Sequence, residues 1–135
     1  MLLDDAKEVL EIEAQGILNL IPKLGPAFEK AVEAIYQLKG RVILTGIGKA
    51  GIVARKITAT LNSTGTPSLF LHPVEAMHGD LGLMREDDIL MLISKSGQLG
   101  EMEMLLSAAQ RLGVEDGLQE GHVDHQHEQD DRSTH

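Results

Sequence analysis

The 135-residue sequence contains no cysteine and no tryptophan, and its only aromatic residues are Phe28, Tyr36 and Phe70. The absence of cysteine excludes a disulfide framework and thiol chemistry. With 42% apolar residues, the chain can still bury one aliphatic core. No apolar run reaches the roughly 18 residues of a membrane span, and the first residues lack the basic segment of a signal peptide. These absences favour a cytoplasmic protein that does not contact a membrane.

The sequence also has no excess of basic residues. The net charge is −9, and residues 115–135 account for −6 of it because they hold seven acidic residues and one basic residue. The rest of the chain is nearly balanced, so we predict no nucleic-acid partner. Residues 115–135 also hold four of the six histidines and only two sizeable apolar residues, Leu118 and Val123. We therefore predict one domain over residues 1–114, followed by a disordered, acidic, histidine-containing tail over residues 115–135.

Apolar residues recur at three- and four-residue spacings over residues 3–21 and 25–38, which predicts two amphipathic helices in a leading hairpin. Short apolar runs at residues 41–45, 68–71 and 88–93 predict buried strands. Helices are expected to follow these strands, over residues 50–63, 73–79 and 99–112. The alternation of strand and helix predicts an α/β fold with a parallel sheet and helices on both of its faces.

Three polar, glycine- or serine-containing turns follow the predicted strands. They are Gly46–Gly51, His72–Gly82 and Ser94–Glu101. Loops at the carboxyl ends of parallel strands line one crevice, where ligands bind in open α/β sheets. The turns bring hydroxyl, ammonium, imidazole and carboxylate groups to that crevice. This set of groups suits an anionic, hydroxylated ligand such as a sugar phosphate.

The first turn has the spacing G-x-G-x-x-G between a strand and a helix, which is also the dinucleotide-binding pattern. A ribose-binding acid should then end the second strand, but His72 stands there, so a nicotinamide site loses support. The glycines can also serve the turn sterically. Lys49 favours a ligand, because a cation at the positive end of a helix is unfavourable unless an anion lies nearby.

The other two turns each allow a functional and a structural interpretation. Ser94, Ser96 and the amides after Gly97 can surround a phosphate at a helix start, or form an ordinary serine cap. His78 with Asp80 can transfer protons, or be structural. A metal site formed by the acidic and histidine residues of the second turn is not favoured, because no histidine pair has ligand spacing; we predict no metal.

These motifs resemble the sugar isomerase (SIS) domain, and specifically the arabinose-5-phosphate isomerase family. The resemblance rests on the three turns and on the run Ala59–Pro67, and it covers about residues 5–114. It implies a flavodoxin-like three-layer sandwich and a dimer-based tetramer. It also implies the interconversion of D-arabinose 5-phosphate and D-ribulose 5-phosphate, which supplies the eight-carbon acid sugar of lipopolysaccharide or capsule. The chemistry requires no metal or organic cofactor.

The resemblance also implies roles for single residues. Lys49, His78 and Glu101 match residues that bind or catalyse, with Glu101 or His78 as the proton-transferring group and Lys49 beside the oxyanion. The residues expected to bind the substrate and its phosphate are Gly48, Lys49, Glu75, Ser94, Ser96 and Gly97.

This sequence departs from the family pattern at Leu99, where a small hydroxylated residue is usual, and at Lys95, where an uncharged one is common. The family continues past Val114, so the SIS domain is expected to be incomplete here. An incomplete domain would leave the third strand with an open edge and favour association between copies. The alternative function is a non-catalytic SIS module that binds a phosphosugar. A nucleotide-binding fragment is a third, more distant alternative.

Overall fold

The computed structural model describes residues 1–95, together with residues 103, 105, 107, 115 and 116. Its helices and strands run in the order α1 (Leu2–Leu18), a 3₁₀ helix (Ile21–Lys23), α2 (Pro26–Tyr36), β1 (Val42–Thr45), α3 (Lys49–Ser63), β2 (Ser68–Phe70), α4 (Pro73–Met77), a second 3₁₀ helix (Asp80–Leu83), β3 (Ile89–Leu92) and β4 (Glu115–Asp116). Residues 103, 105 and 107 are helical. The rest of the helix predicted over residues 99–112 lies outside the described residues.

The strands form one parallel sheet in the order β2-β1-β3-β4. Strand β1 lies at its centre, and Ile43 is opposite Leu69 of β2 and Leu90 of β3. All four residues of β1 are fully buried, because a central strand of a doubly covered sheet is shielded on both faces. The predicted α/β fold with a parallel sheet is confirmed.

Alternate residues of β1 pack into two different apolar clusters, because successive side chains of a strand point to opposite faces. On one face, Val42 and Leu44 pack with Ala54 of α3. On the other face, Ile43 packs with Ala76 of α4. Further residues of this second cluster are Leu71, Met84, Leu90 and Leu105. The sheet therefore lies between two helical layers, which is the predicted three-layer arrangement.

The two N-terminal helices precede the sheet, as predicted, but only the second contributes to the core. Residues 1–24 are all exposed, whereas Ile35 of α2 and Leu38, two residues after this helix, pack against the cluster around Leu44. Among the described residues, no helix combines the length and the apolar character needed to cross a membrane.

A buried ion pair joins the amino ends of β1 and β3. The carboxylate of Asp88 is 1% exposed and accepts hydrogen bonds from the backbone N–H of Arg41 (2.8 Å), from Arg41 Nη2 (2.8 Å) and from the backbone N–H of Arg85 (2.9 Å). Burial alone raises the pKa of Asp88, but the hydrogen bonds and the charge of Arg41 outweigh it, so the pKa lies below its usual value. Asp88 is therefore a charged structural anchor.

The edge of β3 differs from the sequence prediction. Glu115 and Asp116 form β4 and pair in parallel with Ile89 and Leu90. At Ile89 and Leu90, β3 therefore has a neighbouring strand on both sides. The prediction of an open edge is wrong at these two positions. The first two residues of the predicted tail thus belong to the sheet, whereas residues 117–135 lie outside the described residues.

Candidate functional site

The order of the strands places a crevice at the carboxyl end of β1. From β1 the chain passes to β2 on one side of it, and then returns to β3 on the other side. The loops that leave β1 and β3 therefore diverge, which makes the β1–β3 boundary a topological switch point. In flavodoxin-like sheets ligands bind at this point.

The first loop at the switch point is the glycine turn. A Cβ on Gly51 would lie only 2.6 Å from the carbonyl oxygen of Gly46. The first turn of α3 thus lies so close to the end of β1 that there is no room for a side chain at position 51. Gly48 has a φ of +61°, a left-handed conformation that favours glycine. These contacts explain the G-x-G-x-x-G spacing by backbone geometry.

The same turn leaves the start of α3 open to an anion. Gly48 is the N-cap of this 15-residue helix and provides no side chain to accept hydrogen bonds from the first-turn amides. Lys49 is the first helical residue, and it is exposed. First-turn amides that receive no side-chain cap from the described residues suit a phosphate or another anion, together with the helix dipole and an ammonium group.

The second loop at the switch point follows β3. The backbone N–H of Ile93 donates to the carbonyl oxygen of Thr45 at 2.9 Å, so Ser94 begins its loop directly beside Gly46. Ser94 is half-buried and Lys95 is exposed. The remaining residues predicted in this loop, Ser96, Gly97 and Glu101, lie outside the described residues.

The third segment follows β2 and carries two histidines, one on each side of α4. His72 is the N-cap of α4, and its Nδ1 accepts a hydrogen bond from the backbone N–H of Val74 at 3.2 Å. His78 follows α4, and its Nδ1 lies 2.7 Å from the carbonyl oxygen of Val74. Because a carbonyl oxygen can only accept, Nδ1 of His78 must donate, which leaves Nε2 of the neutral ring free to accept a proton.

Glu75 lies in the first turn of α4 and is exposed, as is His78. The buried residue between them, Ala76, packs on the face of the sheet that contains Ile43. Within the part of the chain that the structure describes, no three histidine, aspartate or glutamate side chains lie close enough to hold a metal ion.

One residue of the switch point was missed by the sequence analysis. Thr45 ends β1 and is fully buried, and its Oγ1 has no hydrogen-bond partner among the residues that the structure describes. The available signal was a hydroxyl at the end of an apolar run, immediately before the glycine turn. The structure thus brings Lys49, Ser94 and Thr45 to neighbouring positions at one edge, and it places Glu75 and His78 in and directly after α4, which follows β2.

Shallow grooves also occur away from this edge, along α2. They are lined by residues of that helix and the segment before it, including Leu24, Pro26, Phe28 and Val32. A ligand site is normally a concave surface with a few convergent polar groups contributed by several elements. A groove formed by one helix and the segment before it is better explained as an uncovered helix surface, so the switch point is the candidate ligand site.

The strand order and the helices on both sheet faces define an α/β domain of the flavodoxin-like kind. The SIS domain family matches residues 34–115, so the chain belongs to this family. The matched residues include β1 to β3 and the three loops described above.

Curated relatives carry a similar sequence over most of this chain. Arabinose 5-phosphate isomerase KdsD of Pseudomonas aeruginosa is 44% identical over 109 residues, which are 81% of this chain and 33% of the relative. Arabinose 5-phosphate isomerase GutQ of Escherichia coli K12 is 42% identical over 105 residues, which are 78% of this chain and 33% of the relative. The chain therefore spans about a third of the length of the curated relatives it matches.

Solved structures show the same fold. A Bacteroides fragilis protein, described as a candidate phosphosugar isomerase involved in capsule formation, superposes with a TM-score of 0.80 at 43% identity. That match covers 86% of this chain and 62% of the Bacteroides chain. An Escherichia coli CFT073 protein in complex with arabinose 5-phosphate superposes with a TM-score of 0.68 at 36% identity, covering 82% of this chain and 61% of the other.

Proposed function

We propose that this chain is a phosphosugar domain that interconverts D-arabinose 5-phosphate and D-ribulose 5-phosphate. The observation that carries the proposal is the uncapped start of α3, with Lys49 as its first residue, beside Ser94 at the switch point. Relatives of 42–44% identity are named arabinose 5-phosphate isomerases. The Escherichia coli CFT073 neighbour, solved with arabinose 5-phosphate, supports the same class of ligand.

The phosphate and the sugar require different groups. The phosphate suits the amides after Gly48, where the helix dipole favours an anion, and the hydroxyls of Ser94 and Ser96. The amides after Gly97 are proposed to complete this site. The proposals for Ser96 and Gly97 rest on the sequence alone, because both residues lie outside the described part of the chain.

The reaction moves one proton between two carbons and one between two oxygens. A base removes the proton from C2 of the aldose, the C–H electron pair forms the C1–C2 double bond, and O1 takes up a proton to give an enediol. The hydroxyl of O2 then loses its proton, C2 becomes the ketone, and C1 receives a proton. Every atom of the substrate is kept, so the step is an isomerisation without a redox partner.

Two side chains are proposed for the proton transfers. His78 has its Nδ1 proton engaged by Val74, so Nε2 of the neutral ring can accept a proton. Glu101, which lies outside the described residues, is the other candidate base. Lys49 is proposed to stabilise the developing oxyanion, and Glu75 to bind a sugar hydroxyl.

A non-catalytic phosphosugar-binding module is the second candidate function. It is favoured by the anion site that Lys49, the start of α3 and Ser94 form at the switch point. Binding by these groups does not require the further base that turnover needs. The chain covers only about three fifths of the solved structures it resembles. Binding and turnover are therefore tested separately.

Turnover distinguishes the two candidates. The 135-residue chain is incubated with arabinose 5-phosphate in D₂O, and the product is followed by NMR. An enzyme that works through an enediol forms ribulose 5-phosphate carrying deuterium at C1, to the extent that its base exchanges with solvent. Saturable binding without any product supports the binding module, and neither binding nor product refutes both.

Matched variants identify the groups responsible. Glu101→Gln and His78→Ala are each expected to reduce turnover by about 10²-fold or more, the usual contribution of a general base. Glu103→Gln, an exposed change two residues from Glu101, is the control and should leave turnover unchanged. Equal effects of Glu101→Gln and Glu103→Gln would contradict the role given to Glu101.

We also propose that the chain forms a homo-oligomer through α1. Leu3, Leu10 and Ile17 repeat at seven-residue spacing along this helix and are 75%, 69% and 68% exposed. The spacing places them on one face, and none is covered within the described residues. Phe28 and Val32 of α2 are further exposed apolar residues, and a standard stable interface buries about 800 Å² of each partner. An anionic membrane is a poor fit, since α1 carries five acidic residues and one lysine.

The remaining parts of the proposal are carried over from the family resemblance. The product would supply the eight-carbon acid sugar of lipopolysaccharide or capsule, and the reaction would take place in the cytoplasm without a metal or organic cofactor. Capsule formation is the role given for the Bacteroides fragilis neighbour.

A further inference from the structure

The hydroxyl of Thr45 is the most unusual polar group in the described part of the chain. Thr45 is fully buried, and among the residues that the structure describes its Oγ1 is the one buried side-chain nitrogen or oxygen atom without a hydrogen-bond partner. Buried polar groups are nearly always paired, since leaving one unpaired forfeits its hydration without compensation. An unpaired buried group therefore needs a specific explanation.

A second buried threonine shows how the fold satisfies such a group elsewhere. Thr58 of α3 is also buried, but its Oγ1 donates to the carbonyl oxygen of Ala54 one helical turn earlier, at 2.8 Å. A strand residue has no carbonyl in that position. The carbonyl of Thr45 itself already accepts from the backbone N–H of Ile93. The local backbone thus gives the Thr45 hydroxyl no partner.

The position of Thr45 suggests where the partner comes from. It is the last residue of β1 and directly precedes Gly46, so it lies at the switch point between the loops that contain Lys49 and Ser94. By alternation along β1, its side chain shares the sheet face of Ile43, which is the face covered by α4. This places the hydroxyl beneath the carboxyl end of β1, on the same face as the helix that His78 follows.

Packing alone does not explain why a threonine stands at this position. The three preceding residues, Val42, Ile43 and Leu44, are aliphatic. A valine would fill the same volume as threonine without burying a hydroxyl. The hydroxyl therefore has a cost in the free protein that a bound ligand could remove.

We propose that Thr45 is a ligand-positioning residue whose hydroxyl gains its hydrogen bond in the ligand-bound protein, to an oxygen of the phosphosugar or to one ordered water held against it. The inference rests on the proposed function, since it assigns a further residue to the same crevice. The hydroxyl fixes the ligand at the floor of the crevice, while Lys49 and the α3 amides hold its anionic group at the rim.

The test compares Thr45→Val, Thr45→Ser and Thr58→Val in the full 135-residue chain. Melting without ligand is followed by circular dichroism, and affinities for arabinose 5-phosphate and for inorganic phosphate are measured by calorimetry. We expect Thr45→Val to melt at the same temperature as the unaltered chain or higher, and to bind arabinose 5-phosphate about five- to tenfold more weakly, the effect of one neutral hydrogen bond. Thr45→Ser should keep its affinity within about twofold.

Thr58→Val is the control variant, and inorganic phosphate is the second ligand. Thr58→Val should melt at a lower temperature but retain its affinity, because its hydroxyl is already paired in the free protein. Weaker binding of arabinose 5-phosphate alone by Thr45→Val assigns the hydroxyl to the sugar. Equal weakening with inorganic phosphate assigns it to the phosphate, and both results support the proposal.

Two results would overturn it while leaving the proposed function intact. One is an unchanged affinity of Thr45→Val for both ligands. The other is a clearly lower melting temperature of Thr45→Val, which would show that the hydroxyl is already paired in the free protein. If the unaltered chain binds neither ligand, the proposed function fails together with this inference.

Discussion

Replacing Asp88 by asparagine tests the structural anchor between β1 and β3. Each carboxylate oxygen of Asp88 accepts two hydrogen bonds: Oδ1 from the backbone N–H and Nε of Arg41, and Oδ2 from Nη2 of Arg41 and the backbone N–H of Arg85. Asparagine must place an NH₂ group where one of these oxygens accepts, so donors would face donors. It also leaves the guanidinium of Arg41 without its counter-charge.

The size of the effect follows from the burial of the pair. Breaking a fully buried ion pair costs about 3–5 kcal/mol. Asp88 is 1% exposed but the side chain of Arg41 is 29% exposed, so water recovers part of this loss and we expect about 2–4 kcal/mol. For a domain of this size such a loss lowers the melting temperature by roughly 10 °C.

Circular dichroism melting at neutral pH measures the loss, and Asp87→Asn is the matched control. Asp87 is exposed and directly precedes Asp88, so the same chemical change there should shift melting by no more than about 2 °C. If Asp88→Asn melts within that margin of Asp87→Asn, the ion pair between Asp88 and Arg41 does not stabilise the fold.

The pH dependence gives an independent check on the same residue. The pKa of Asp88 is lower in the folded protein than its usual value, so between the two values the unfolded chain binds more protons. Stability therefore falls as the pH is lowered through this interval, and the contribution of Asp88 is fully present only above its ordinary pKa of about 3.9. The difference between the unaltered chain and Asp88→Asn should be constant near neutral pH and shrink below about pH 4.

Three further predictions concern the turn, the surface of α1 and the rim of the crevice. Gly51→Ala should destabilise the fold by more than about 1 kcal/mol in urea unfolding, because its Cβ would meet the carbonyl of Gly46. The control Gly16→Ala should be neutral or stabilising, because nothing lies close to that position of α1. Equal effects of the two substitutions would contradict the close approach of α3 to β1. Leu10→Glu should convert an oligomer into a monomer in light scattering, and a monomeric unaltered chain would contradict the α1 interface. Lys49→Met should lower the affinity for inorganic phosphate more at 50 mM than at 500 mM salt, since exposed charges are screened; a salt-independent effect would exclude a charge contribution.

Much of the fold could be predicted because its signals are local. The buried strands appear as apolar runs in the sequence. In the structure, β1 and β3 each begin one residue later than predicted. The displaced residues, Arg41 and Asp88, pair with each other at the ends of their runs. Their contact spans 47 positions in sequence, and no local pattern identifies such a pair.

The parts of the site that could be predicted are those with a local explanation. The glycine turn and Lys49 follow from the chemistry of a strand-to-helix junction. Thr45 was missed because it resembles any residue of an apolar strand until its burial and its missing partner are known. The pairing of Glu115 and Asp116 with β3 was also missed, since two acidic residues after a glycine-containing segment do not resemble a strand.

The proposed function requires the switch point between β1 and β3 to bind a phosphosugar. Calorimetric titration of the 135-residue chain with arabinose 5-phosphate tests it most directly, with Lys49→Met and Lys56→Met compared because both lysines are exposed on α3. We expect saturable binding that Lys49→Met weakens about 10- to 100-fold, the contribution of one charged hydrogen bond, and that Lys56→Met leaves unchanged. No saturable binding, or equal weakening by both substitutions, would contradict a phosphosugar site at this edge of the sheet.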